Sequence, residues 1–229
     1  MNNRATLFAV LALAAAPACA GDAKLGKRYF EGFGCVKCHT VDGKGGEYGP
    51  DLTFIGFRKS QEWLDLWLKN PHAWKSSTVM PNFHLTDAVR GDIVEFLGTL
   101  KGEGYKGAKA PWTHPRFKDD AVARGKAVFD AAGCAGCHGR GGVGGYPNTN
   151  VVGKKIPALL LVSDGYSKDE LKTRIRDGAK PLKEDPSGPT PMIEMPKWGT
   201  VLAEDDIAAL ADYLFSLKPK SAASAKDEW

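Results

Sequence analysis

Cys35-Val36-Lys37-Cys38-His39 returns as Cys134-Ala135-Gly136-Cys137-His138, and the reading of the chain turns on these two stretches. C-x-x-C-H is the attachment sequence for c-type haem: each cysteine takes one vinyl group, and the following histidine is carried beneath the iron. Positions i, i+3 and i+4 share one helix face, so a single turn presents all three groups together. The expected cofactor is therefore two covalently bound haem c groups. Cys35, Cys38, Cys134 and Cys137 are the attachment points, and His39 and His138 the first iron ligands. A structural zinc site would close on four ligands drawn from both pairs, but each pair here has its own histidine and a long stretch lies between them. A thioredoxin-like pair needs a βαβ setting, which is not visible. A disulfide across three residues is strained and leaves the histidines without a purpose.

Working outward from the motifs, the two halves repeat. Gly26-Lys27-Arg28-Tyr29-Phe30 precedes the first motif as Gly125-Lys126-Ala127-Val128-Phe129 precedes the second, with glycine and phenylalanine at the same distances from the first cysteine. Both segments read as short amphipathic helices. A glycine at a fixed place suggests close helix–helix approach, because it has no Cβ to obstruct packing. Each half closes with a further helical stripe: Leu85, Val89, Ile93, Phe96, Leu97 and Leu100 in the first, Leu202, Leu210, Tyr213, Leu214 and Leu217 in the second. Asp206, which stands opposite Val89, is the one mismatch between the stripes. Thr86-Asp87 and Glu204-Asp205 supply acidic first turns. Between these ends the pattern predicts a helix over Ser60 to Lys69, stopped by Asn70-Pro71, and another opened by the capping box Ser167-Lys168-Asp169-Glu170 and ending near Gly178. The expected fold is all-α with substantial loop. The glycine-dense insertion from Gly139 to Gly153 reads as a flexible surface loop, since it lacks the ending and the preceding strand of a phosphate-binding loop.

The opposite face of each iron needs a ligand. Besides Met1 the chain has Met80, Met192 and Met195. Met80-Pro81-Asn82-Phe83 and Met195-Pro196-Lys197-Trp198 occupy corresponding places, each a Met-Pro followed by an aromatic. Proline restricts the backbone that holds the thioether. Met80 and Met195 are the expected sixth ligands. Met192 is the rival to Met195, and His72, His84 and His114 are alternatives for which surface or packing roles are expected.

With these elements in order twice over, the chain resembles the class I cytochromes c in their two-domain dihaem form. The resemblance covers almost all of the chain after residue 20 and extends to Gly49-Pro50-Asp51-Leu52 and Ile156-Pro157-Ala158-Leu159. It implies that the Pro50 and Pro157 carbonyls accept hydrogen bonds from His39 and His138, orienting each imidazole. It also implies two tandem cytochrome c-like domains, each wrapped around one haem: residues 21–101 and 119–218, joined by a linker at 102–118 rich in Gly, Pro and Lys, with a loose tail at 219–229.

Residues 1–20 read as a secretory signal, with Arg4, an apolar run from Leu7 to Ala16 and the small-residue site Ala18-Cys19-Ala20. Removal before Gly21 would take away Cys19 and leave each remaining cysteine to a haem motif. A lipidated Cys19 or an uncleaved anchor fits the residues less well. No later stretch approaches the roughly 20 apolar residues a spanning helix needs, so no direct membrane span is expected. The formal charge of +4 comes from dispersed lysines and arginines, which is no nucleic-acid signature.

Histidine and methionine together leave no vacant position on iron, and the soft thioether favours the ferrous state. The expected function is a periplasmic electron carrier and not an enzyme. The resemblance implies redox partners such as a membrane quinol-oxidising complex and a terminal oxidase or reductase. The alternatives are an electron-transfer subunit of a larger oxidoreductase, or a dihaem enzyme such as a peroxidase. Both Met-Pro segments count against the latter.

Overall fold

The computed structural model describes residues 21–219; the signal read at 1–20 and nearly all of the tail lie outside them. Each half is organised by a crossing of its first and last long helices. In the first half α1 (Ala23–Gly32) is capped by the Asp22 carboxylate, which accepts from the Lys24 and Leu25 N–H groups, and packs on α5 (Asp87–Thr99), capped by Thr86. In the second, α6 (Ala121–Ala131), capped by Asp120, packs on α10 (Glu204–Ser216). The repeated glycines sit at the two crossings. A Cβ on Gly26 would lie 1.9 Å from the Asp92 carbonyl oxygen, and one on Gly125 would lie 1.9 Å from that of Ala209. One turn on, Phe30 meets Phe96 and Phe129 meets Tyr213, each pair with ring centroids 5.4 Å apart and planes at 58° and 59°. The duplication seen in sequence is thus a duplication of contacts.

The middle helices follow their signals. Ser60 caps α3 (Gln61–Lys69), and Asn70 ends it while capping the single turn α4 (Pro71–Trp74). Ser167 and Glu170 form the reciprocal capping box of α9 (Lys168–Asp177), which ends at Gly178. The short turns α2 (Ile55–Arg58), α7 (Ala135–His138) and α8 (Val162–Gly165) complete the α-helices among the described residues. A two-residue antiparallel pairing, β1 (Thr40–Val41) with β2 (Lys44–Gly45), folds the chain back after the first motif. The described residues form a mainly helical pair of units built on the same helix crossing.

The units are knitted together more closely than the sequence suggested. Phe54 of the first half is buried in the second core against Tyr105, Trp112 and Trp198, while Ile156 and Ile193 of the second half join the first core. The connecting segment runs through four single 3-10 turns that bury Tyr105 and Trp112, so its aromatics anchor it between the halves. The glycine-dense insertion is likewise packed, contrary to the expectation of a flexible surface loop. Tyr146 lies against Trp63 and Trp67, Val151 is buried, and the buried Asn148 amide exchanges two hydrogen bonds with the Ile193 backbone, at 2.9 and 3.2 Å. Its glycines permit close approach: a Cβ on Gly144 would lie 2.4 Å from the Ala158 nitrogen.

Asp206, the mismatch in the repeat, is buried in α10 and its carboxylate accepts from the Arg124 guanidinium at 2.5 Å. A polar residue on an apolar stripe is tolerated because a partner on α6 satisfies it.

Candidate haem sites

Both motifs begin where a helix stops. α1 ends at Gly32, and Gly34, with φ of +74°, turns the chain into the 3-10 turn Cys35–Lys37. The Cys38 and His39 N–H groups both donate to the Cys35 carbonyl, at 3.2 and 3.0 Å. In the second half Cys137 and His138 both donate to the Cys134 carbonyl, at 3.1 and 2.9 Å. One turn therefore collects two thiols and an imidazole on a common side in each half.

Each imidazole is then fixed from behind. His39 Nδ1–H donates to the Pro50 carbonyl at 2.8 Å, and His138 Nδ1–H to the Pro157 carbonyl at 3.2 Å. The longer chain between His138 and Pro157 is absorbed by the insertion, where Gly144 N–H donates to the His138 carbonyl and Leu159 N–H to that of Gly142. With Nδ1 committed, Nε2 is the nitrogen left to face a metal. Burial lowers the pKa of both imidazoles, against the opposing pull of the proline carbonyls, and so favours the neutral form that ligates. Burial also raises the Cys35 thiol and pushes Cys134 up to about 12. None of these four cysteines is in a disulfide.

Met80 packs against the first core with Cys35 and Trp67, and its Sδ accepts a hydrogen bond from Trp67 Nε1–H at 3.0 Å. Met195 is pinned through its backbone: it exchanges hydrogen bonds with Ala179 in both directions, at 2.9 and 3.0 Å. Its side chain packs on the second core, as Cys134 does, whereas Met192 packs on the first core. The second motif's cysteines divide in the same way, Cys134 with Met195 on the second core and Cys137 with Met192 on the first. His72, His84 and His114 are exposed.

A prosthetic group fits what these residues leave open. Arg58 Nε, Lys59 Nζ, Trp63 Nε1 and Trp74 Nε1 are buried donors with no acceptor, and buried donors are normally paired. Carboxylates carried by a haem are the acceptors such donors would take. Arg58 and Lys59 carry no signal in the sequence; Asp51 belongs to the Pro50 loop, and its carboxylate accepts from Tyr105 Oη–H at 2.5 Å and Thr53 N–H at 2.8 Å. Two of the contacts, Arg58 with Gly133 and Asp51 with Tyr105, join residues far apart in the chain.

The cytochrome c family model matches residues 23–101 and again 122–218. The chain belongs to the cytochrome c family. Each match contains one C-x-x-C-H motif, one proline carbonyl bonded to its histidine and one Met-Pro segment. Among known relatives, it is 30% identical over 90 residues to a nitric oxide reductase subunit of Cereibacter sphaeroides, covering 35% of this chain and 61% of that one. It is 30% identical over 95 residues to cytochrome c6 of Euglena gracilis, covering 40% and 87%. It is 30% identical over 88 residues to a cytochrome c oxidase subunit of Alkalihalophilus pseudofirmus, covering 34% and 26%. The chain thus spans less than two thirds of the lengths of these reductase and oxidase subunits. This cytochrome attaches haem c covalently and transfers electrons. Among its described residues no helix is long and apolar enough to cross a membrane.

Proposed function

We propose that this cytochrome carries two haems c, one on each motif, and passes single electrons between redox partners of a respiratory chain in the periplasm. The observation that carries the reading is the repeated arrangement around each histidine: a thiol pair on one turn, Nδ1 locked to a proline carbonyl, and a Met-Pro segment in the same half. His39 with Met80 and His138 with Met195 would hold the two irons, and the bound haem would supply the one-electron couple. The chain's own part is to keep both ligand sets fixed through the change of valence. Proline carbonyls hold the imidazoles, Trp67 holds the Met80 thioether, and the Ala179 pairing holds the Met195 backbone. A saturated iron held this way gives electron transfer little to reorganise and gives a substrate no position to bind.

A second reading is an electron-transfer subunit of a larger oxidoreductase; the names of the aligned nitric oxide reductase and cytochrome c oxidase subunits favour it. Purification from native membranes separates the two, as a carrier elutes alone and a subunit elutes with its complex.

Mass spectrometry of the purified protein tests the count, with two haem additions expected. A redox titration followed by absorbance and magnetic circular dichroism tests the ligands, and a methionine–iron charge-transfer band equivalent to two haems is expected. A high-spin ferric haem or sustained peroxide turnover would replace the carrier with an enzyme.

A further inference from the structure

Arg58 and Lys59 belong to the first unit, each is 7% exposed, and both face the second motif. Arg58 Nη1–H donates to the Gly133 carbonyl, immediately before Cys134, at 2.9 Å, and Nη2–H donates to the Asp51 carbonyl at 2.9 Å. A Cβ on Gly136, between the two cysteines, would stand 3.0 Å from Arg58 Nη1. The Lys59 ammonium lies 4.2 Å from the Trp63 ring centroid and 5.3 Å from that of Tyr146; burial lowers its pKa, and its charge acts on His138. Among the described residues no carboxylate forms an ion pair with either cation. The carboxylate whose charge does reach Arg58, that of Asp51, is engaged by Tyr105 and Thr53.

The first motif differs: Arg58 reaches it only through the Asp51 carbonyl, beside the Pro50 loop. The charge acting on His39 is the Asp51 carboxylate. Cys38 is exposed, whereas its counterpart Cys137 is half-buried.

Resting on the two-haem reading above, we propose that Arg58 and Lys59 make the second haem the higher-potential centre, so that electrons taken up at the first haem settle on the second. Ferric haem carries one more positive charge than ferrous haem. A buried cation nearby therefore disfavours the ferric state, a nearby carboxylate favours it, and burial adds to the cation's effect. All three differences between the sites act in the same direction. A haem carboxylate seated on the free donors would have its own charge cancelled there, which does not reverse the sign.

The test is a spectroelectrochemical titration of the haem-loaded protein, resolved into two one-electron waves. Met80→His and Met195→His each replace one thioether with a ligand of lower potential and so assign the waves. Met195→His is expected to displace the upper wave. If Met80→His displaces it instead, or if the two potentials coincide, the proposal is overturned. Lys59→Met keeps the aliphatic stem over Trp63 and deletes the charge. It is expected to move the upper wave to lower potential while the lower wave holds, and equal shifts in both waves, or none, reject the assigned cause. Arg58→Gln is the companion variant, and Lys59→Met carries the test should it fail to fold. Failure of the two-haem reading shows earlier and differently, as fewer than two haem additions in the mass of the unsubstituted protein.

Discussion

Arg124 of α6 and Asp206 of α10 form a largely buried ion pair at 2.5 Å, in the places that Leu25 and Val89 fill in the first half. One copy of the repeat thus carries two apolar residues where the other carries two opposite charges. Asp206 is nearly inaccessible and Arg124 is about one-third exposed, so water screens the pair only in part.

Removing one member leaves the other charge in a low-dielectric setting. Asp206→Val is expected to destabilise the second unit by about 2 kcal/mol, less than a fully buried pair would lose because Arg124 reaches solvent. The double variant Arg124→Leu with Asp206→Val, which installs the first half's residues, is expected to fall within about 1 kcal/mol of the parent. Denaturant midpoints of the parent, both single variants and the double variant measure this. A double variant worse than either single one would refute the equivalence of the two pairs.

The helix crossings make a sharper prediction. A Cβ on Gly26 or Gly125 meets a backbone carbonyl oxygen at 1.9 Å, so α1 or α6 must move off its partner. Gly26→Ala and Gly125→Ala are each expected to cost about 3 kcal/mol, despite alanine's intrinsic helix advantage of about 1 kcal/mol. Gly91 lies within α5 with open space where its Cβ would stand. Gly91→Ala should therefore keep the helix advantage and stabilise slightly. Thermal melts of the three variants decide it, and similar losses in all three would mean that close approach is not the cause.

What could be read in the sequence was local. The caps at Ser60, Thr86 and Ser167, the stop at Asn70-Pro71 and the turn that carries each histidine depend on residues within four positions of one another. What could not be read was long-range. The insertion reads as flexible because glycines usually loosen a chain, but Tyr146 and Asn148 within it find partners on Trp63 and Ile193. Asp206 reads as a mismatch because periodicity compares a helix with itself, and Arg124 lies on another helix. Arg58 and Lys59 are silent in the sequence for the same reason: Gly133 and Tyr146, which they meet, belong to the other half.

Stability against acid follows from the two imidazoles. Burial is the larger influence on each, and it holds the folded-state pKa below the ordinary histidine value of about 6.5. A depressed histidine favours the folded state above its unfolded pKa, and that contribution is lost as pH falls through the lower folded value. Iron on Nε2 would compete with the proton and act in the same direction. Asp51 works against this trend, because burial raises its carboxyl and its contribution is present at low pH and lost as pH rises through the folded value. The denaturant midpoint is expected to be level above about pH 6.5 and to fall below it, with a milder fall for a variant in which one motif's histidine is replaced. A midpoint that rises on acidification would show that Asp51 outweighs both histidines.

The Trp67 indole N–H, 3.0 Å from Met80 Sδ, belongs to one half only; among the described residues no corresponding hydrogen bond reaches Met195. A donor on the thioether withdraws electron density that the sulfur would otherwise give to ferric iron, so it favours the ferrous state. Trp67→Phe keeps an aromatic ring on Trp63, which stacks on it at 13°, and deletes the donor. A net hydrogen bond of about 1 kcal/mol corresponds to roughly 40 mV for a one-electron couple. The first haem's potential should fall by about that amount while the second haem's holds. The methionine charge-transfer band should persist, which separates a weakened hydrogen bond from a lost ligand. If both potentials moved together, the variant would be disturbing the packing between the units through Tyr146, which touches the same ring.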